Sequence, residues 1–97
     1  MPQDVDDDFY NRADAHIHLS NDHLSAFGEK GKVSASMMYA TARFNSWVSA
    51  CGFKSGGDMA KEKAEALDYF CNQYRLMLEE NLDEYIEKFN SHMQVKE

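Results

Sequence analysis

Apolar residues along this chain recur with a helical period, in three runs separated by glycine-bearing turns. The most telling run is Val33 to Cys51 (VSASMMYATARFNSWVSAC). Wound as a helix, it sets Met37, Ala40, Thr41, Phe44, Trp47, Val48 and Cys51 on one face. The other face carries Ala35, Tyr39, Ala42, Ser46, Ser49 and Ala50, and the only charge in the run is Arg43. A helix that is apolar on one side and small on the other is expected to have neighbours on both. The run is therefore predicted as the central helix, capped by Ser34, with Val33 and Met38 as a hydrophobic staple and Gly52 just past its end.

Upstream, Phe9, Ala13, Ile17, Leu24 and Phe27 share a face, with Tyr10 and Ser20 beside it. Asp6, Asp7 and Asp8 suit the positive end of this helix, and one of them is expected to cap it. Gly28 ends it, and Glu29-Lys30-Gly31-Lys32 reads as a polar turn. Downstream, residues 53–57 form a second turn, and Ser55 or Asp58 caps a third helix. Its stripe runs through Ala60, Ala64, Leu67, Cys71, Tyr74, Leu78, Leu82, Tyr85 and Phe89, drifting as a near-3.5 repeat does. Unbroken to His92, this helix would be about 50 Å long, more than a compact domain of this size spans. A break is expected at Asn81-Leu82-Asp83, leaving a short fourth helix from Leu82 to Asn90. The pattern thus predicts an all-α fold: a three-helix up-down-up antiparallel bundle with a short fourth C-terminal helix. One domain covers residues 1–97, with residues 1–7 and 91–97 frayed.

Composition supports a folded helical chain. Its 97 residues are 43% hydrophobic with one proline, at position 2. A chain this long buries roughly 60–65% of its unfolded surface without staples. The net charge of −7 argues against nucleic acid and anionic membranes as partners, because no basic stripe exists to meet phosphates. No signal-peptide pattern opens the sequence, and no run reaches the ~20 apolar residues of a membrane span, so a cytoplasmic protein is expected. Cys51 and Cys71 fall on apolar helix faces without C-x-x-C spacing, and are expected as buried, inert thiols.

Candidate chemistry is sparse. Asp14, His16, His18, Asp22 and His23 form the one dense group of metal-capable side chains. The His16-Ile17-His18 text has the H-x-H form of barrel-type metal hydrolases, but on a helix these two imidazoles diverge. Asp14, His18 and Asp22 do align, though no Glu-x-x-His accompanies them. A solvated polar face is the expectation, with no metal and no cofactor. Arg43 is costly to bury alone, so an ion pair is expected. Antiparallel threading sets it level with residues near His18 and Leu67, which makes Asp14 or Asp68 the partner. The sharper alternative is an anion site of Arg43 with Asn45 or Tyr39. No P-loop or Gly-x-Ser-x-Gly setting is present. Met37, Met59, Met77 and Met93 are assigned to the core. On the third helix, Tyr69 and Leu76 lie opposite the stripe, seven residues apart, among Glu65, Asn72 and Gln73. They are the candidate interaction patch, and a twofold dimer packing third helices together is the simplest use of it.

Four segments carry a likeness to a known family: Arg12-Ala13-Asp14-Ala15, Gly31-Lys32-Val33-Ser34-Ala35-Ser36, Ala42-Arg43-Phe44-Asn45 and Met77-Leu78-Glu79-Glu80-Asn81-Leu82-Asp83. Taken together, over nearly the whole chain, they resemble a small bacterial domain-of-unknown-function family of about this length. The resemblance implies a compact bacterial domain with no established activity, and it supplies no catalytic residues. The functional expectation is a non-enzymatic cytoplasmic interaction or regulatory module, with an unknown protein partner or a second copy of itself. A small-molecule or anion binder centred on Arg43 is the alternative, and a metal enzyme using His18 and Asp22 a weaker third class.

Overall fold

The computed structural model describes residues 5–96, so the fraying expected of residues 1–4 and 97 lies outside the described residues. Those described are all-α, with five helices and no strand. They are α1 (Phe9–Phe27), α2 (Lys30–Ala50), α3 (Gly56–Lys61), α4 (Lys63–Glu87) and α5 (Phe89–His92). The chain divides into two units, Val5–Lys61 with α1 to α3, and the remainder from Glu62 with α4 and α5.

In the first unit, Asp8 stands at the N-cap of α1, but its carboxylate accepts from the Asn11 side chain (3.3 Å) and caps no backbone N–H. Gly28 closes α1 in the left-handed conformation, φ +86°, and donates its N–H to Leu24 O at 2.9 Å. Only glycine takes that φ without strain. The connection to α2 is then two residues, Gly28 and Glu29. Glu29 is extended (φ −109°, ψ 116°), and its carbonyl accepts the Val33 N–H at 3.0 Å. Lys30, Gly31 and Lys32, expected in the turn, are the first turn of α2, and Ser34 lies inside the helix.

So short a connection makes α1 and α2 an antiparallel hairpin. Ser20 Oγ donates to Met37 Sδ at 3.4 Å, and that register sets Val33 level with Leu24. Phe9, Ala13, Ser20, His23 and Leu24 are half-buried along one side of α1. Val33 is the one buried side chain among the described residues, 9% exposed. Hydroxyl groups on these helices bond their own backbone: Thr41 Oγ1 to Met37 O (2.9 Å), Ser46 Oγ to Ala42 O (2.8 Å) and Ser25 Oγ to Asn21 O (3.3 Å). Ser55 caps α3 as expected, its Oγ accepting the Asp58 N–H at 3.1 Å.

In the second unit, α4 runs unbroken through Asn81-Leu82-Asp83. Asn81 Nδ2 donates to Met77 O at 2.7 Å, so its amide braces the helix instead of opening it. The interruptions fall elsewhere, at Glu62 (φ −102°, ψ 5°) and Lys88 (φ −109°, ψ 30°). The fourth, C-terminal helix is correspondingly short, α5 alone. His92, expected in a frayed tail, is tied back. Its Nε2 lies 2.9 Å from Glu84 Oε1, and its ring stacks on Tyr85 with centroids 4.5 Å apart.

The expected core faces are not core. Phe44, Trp47 and Val48 on α2 are exposed, as are Leu67, Tyr74, Leu78, Leu82 and Tyr85 on α4. Met37 and Met93 are exposed too, whereas Met59 and Met77 are half-buried. Both cysteines, expected buried, are exposed thiols. The cause is common to all of them: periodicity tells which face of a helix is apolar, not whether another surface lies on it.

Candidate functional site

The residues with metal chemistry do not converge. Asp14, His16, His18 and Asp22 are exposed on α1, and His23 is half-buried with its ring edge-on to Phe27 at 6.1 Å. Among the described residues, no three His, Cys, Asp or Glu side chains gather closely enough to hold an ion. A concavity of about 410 Å³ lies at the corner of α4 and α5, lined by residues 86–91. A single stretch of chain forms it, so it lacks the polar groups that separate elements bring together in a ligand pocket.

Arg43 departs from expectation. It is exposed on α2 and makes no hydrogen bond or ion pair among the described residues. The register from Ser20 and Met37 does put Asp14 level with it. Counting 100° per residue, however, both lie about a third of a turn off the sides on which the hairpin packs. The pair with Asp14 is therefore not made, because the level is right and the side is wrong, and Asp68 belongs to the other unit. Tyr39, one turn before Arg43 and 68% exposed, shares its face, while half-buried Asn45 lies nearly opposite. Arg43→Ala is accordingly expected to change stability by no more than about 0.5 kcal/mol, checked by urea unfolding.

Two carboxyl groups have perturbed titration. Arg12 donates twice to Asp6, Nη2 to Oδ1 at 2.7 Å and Nη1 to Oδ2 at 3.3 Å, which holds Asp6 below its ordinary value. Glu62 shares a hydrogen bond with Glu65, and the like charge beside it raises its value above the ordinary one. As pH falls, Glu62 takes its proton before Asp6 does. The Asp6 contribution to stability is present above the ordinary aspartate value and lost as pH falls through the lowered one; the sign for Glu62 is the reverse. Carboxyl-carbon NMR titration checks both. Arg12→Ala should return Asp6 upward and Glu65→Ala should return Glu62 downward.

What the structure offers is surface. Half-buried Ala66, Phe70, Gln73 and Met77 form one row along α4. About a quarter turn away lies a second row, Leu67, Cys71, Tyr74, Leu78 and Tyr85, all exposed. Sequence reasoning assigned this second row to the core. Tyr69 and Leu76, the candidate interaction patch, are exposed on the far side of α4, with the Tyr69 ring edge-on to Phe70 at 5.1 Å. On α2, Phe44 and Trp47 stand side by side, centroids 5.7 Å apart and each more than 60% exposed.

The comparisons name a family and assign it no activity. Residues 9–86 match the model of a family described as a protein of unknown function, DUF3144. The chain belongs to the DUF3144 family. This DUF3144 domain is also similar to a solved structure, the NMR structure of protein NB7890A from Shewanella sp. The two are 33% identical over 98% of this chain and 100% of that one, with a TM-score of 0.77. No curated protein matches the DUF3144 chain. It is a small bacterial domain of unknown function, all-helical, without a catalytic motif among its described residues. None of its described helices is long and apolar enough to cross a membrane.

Proposed function

We propose that this domain is a non-enzymatic, cytoplasmic protein-interaction or regulatory module. One observation carries the reading. From Val33 to Ala50, α2 holds a single charge, yet Tyr39, Phe44 and Trp47 on it are each more than 60% exposed. A helix so poor in charge is ordinarily covered. Tyr69 and Leu76 on α4 offer a second, smaller patch beside polar neighbours, the composition of a modest interface. A photo-reactive amino acid placed at Trp47, and separately at Leu76, tests this in the native cell. Adducts of defined mass with a protein support the module. Irradiated cells that show none at either position sink it.

A second reading, an anion binder centred on Arg43, draws on the unpaired guanidinium beside Tyr39. With half-buried Asn45 nearly opposite, Tyr39 is the companion on the same side. Melting with millimolar inorganic phosphate decides it, since a ligand of the native state must raise Tm. An unchanged Tm, or a rise that persists in Arg43→Ala, rejects it.

A further inference from the structure

We infer that the exposed seam of α4 is the contact by which two copies of this chain pair, antiparallel, about a twofold axis between Cys71 and Tyr74. This rests on the interaction-module reading and names the partner as a second copy.

The spacing comes first. Leu67, Cys71, Tyr74, Leu78 and Tyr85 alternate by four, three, four and seven residues, the heptad spacing that keeps one row facing a second helix along its length. The large members of this row, with neighbouring Leu82, are 41–54% exposed, and Cys71 is an exposed thiol. No Asp, Glu, Lys or Arg interrupts the row from Leu67 to Leu78. Its polar member is Asn81, whose amide is already bonded to Met77 O.

Charge then selects the partner and its direction. Asp68 and Arg75 flank the row on the same side, two turns apart, and neither makes a hydrogen bond or ion pair among the described residues. A twofold axis perpendicular to α4 brings this flank against the same flank of the copy and reverses the order of levels. Centred between Cys71 and Tyr74, it sets each Arg75 within about 3 Å, along the helix axis, of the level of the copy's Asp68. Two opposite charges on one element thereby become two ion pairs, as an isologous contact requires. The same centring stacks about six layers, with Leu67 against the copy's Leu78, Cys71 against its Tyr74, and Ala64 against its Asn81. Glu65 and Asp83, on the opposite face of α4, point away from the contact, and Glu79 lies one turn after Arg75 at the outer edge of the same flank. Parallel pairing, by contrast, turns this flank against the copy's other flank, that of Phe70 and Met77, so Asp68 and Arg75 find no opposite charge there.

Light scattering of the full chain at tens of micromolar reads the result, with helix content followed by circular dichroism. The wild type is expected at twice its chain mass. Arg75→Glu and Asp68→Arg should each weaken the dimer by about tenfold or more, since each puts two like-charge pairs at the contact. The double variant, Asp68→Arg with Arg75→Glu, should restore it, which no loss of folding in the single variants can mimic. In a Cys51→Ser background, a short bis-maleimide should join the Cys71 thiols of two chains, whereas Cys71→Ser should give no product. A monomeric wild type overturns the inference. So does a dimer indifferent to both charge reversals, or one whose Cys71 thiols cannot be joined. A monomer that still forms an adduct from Trp47 in cells removes self-pairing alone and leaves the module reading in place.

Discussion

Val33→Asp unfolds the α1–α2 hairpin more thoroughly than any other single substitution expected here. Val33 is the one buried side chain among the described residues, and hairpin register sets it level with Leu24. Val33→Ala removes two methyl groups from that buried position and should cost about 1–2 kcal/mol. A carboxylate adds the cost of a charge held away from water with no partner within the hairpin, taking the loss to about 3 kcal/mol or more. For a chain of this length, that is a fall in Tm of roughly 12–24 °C, measured by circular dichroism at fixed protein concentration. A loss below 1 kcal/mol for Val33→Asp shows that the hairpin does not depend on this buried position.

Gly28→Ala and Gly31→Ala, three residues apart, are expected to have opposite signs. Gly28 has φ +86°, and a Cβ added there meets nothing within 4 Å, so the backbone conformation alone sets the cost. An L-residue in that region loses about 1–2 kcal/mol. With the N–H of Gly28 bonded to Leu24 O, the strain falls on the end of α1 and on the angle at which α2 enters. Gly31 is helical, and its added Cβ also meets nothing within 4 Å. There alanine should stabilise by about 0.5–1 kcal/mol, because glycine gives up more backbone freedom on joining a helix. Urea titration of the two variants beside the wild type reads both signs in one experiment. A stabilised Gly28→Ala contradicts the left-handed turn.

The helices were legible because their signals are local. Gly28 as a stop and Ser55 as a cap act within four residues, and both are found where the sequence puts them. Boundaries were less legible where a residue has two local uses. Asn81 can end a helix or bond back onto it, and the 2.7 Å bond to Met77 O shows the second. Glu29 to Lys32 looked like a turn because it is polar and contains glycine, yet a first helical turn has that same composition. The candidate surface was legible as a stripe but misread as interior. Leu67 through Tyr85 keeps the same spacing whether its cover comes from this chain or from another. Under the proposed pairing, the signal that separates the two cases is the pair of opposite charges at Asp68 and Arg75, which meet when the row is turned upon itself.

The hydroxyl groups of α2 bear on what kind of cover that helix accepts. Thr41 and Ser46 each turn their O–H inward to a carbonyl one turn back. Donors committed in this way ask nothing of a neighbour, so a flat hydrocarbon surface can be laid over them without stranding a proton donor. At these two positions the helix is polar in its spelling and close to apolar in its demands. Selectivity over Thr41 and Ser46 is consequently a matter of contour, set by the step between the Phe44–Trp47 ridge and the small residues around it, while hydrogen bonding on this helix is left to groups such as the Arg43 guanidinium.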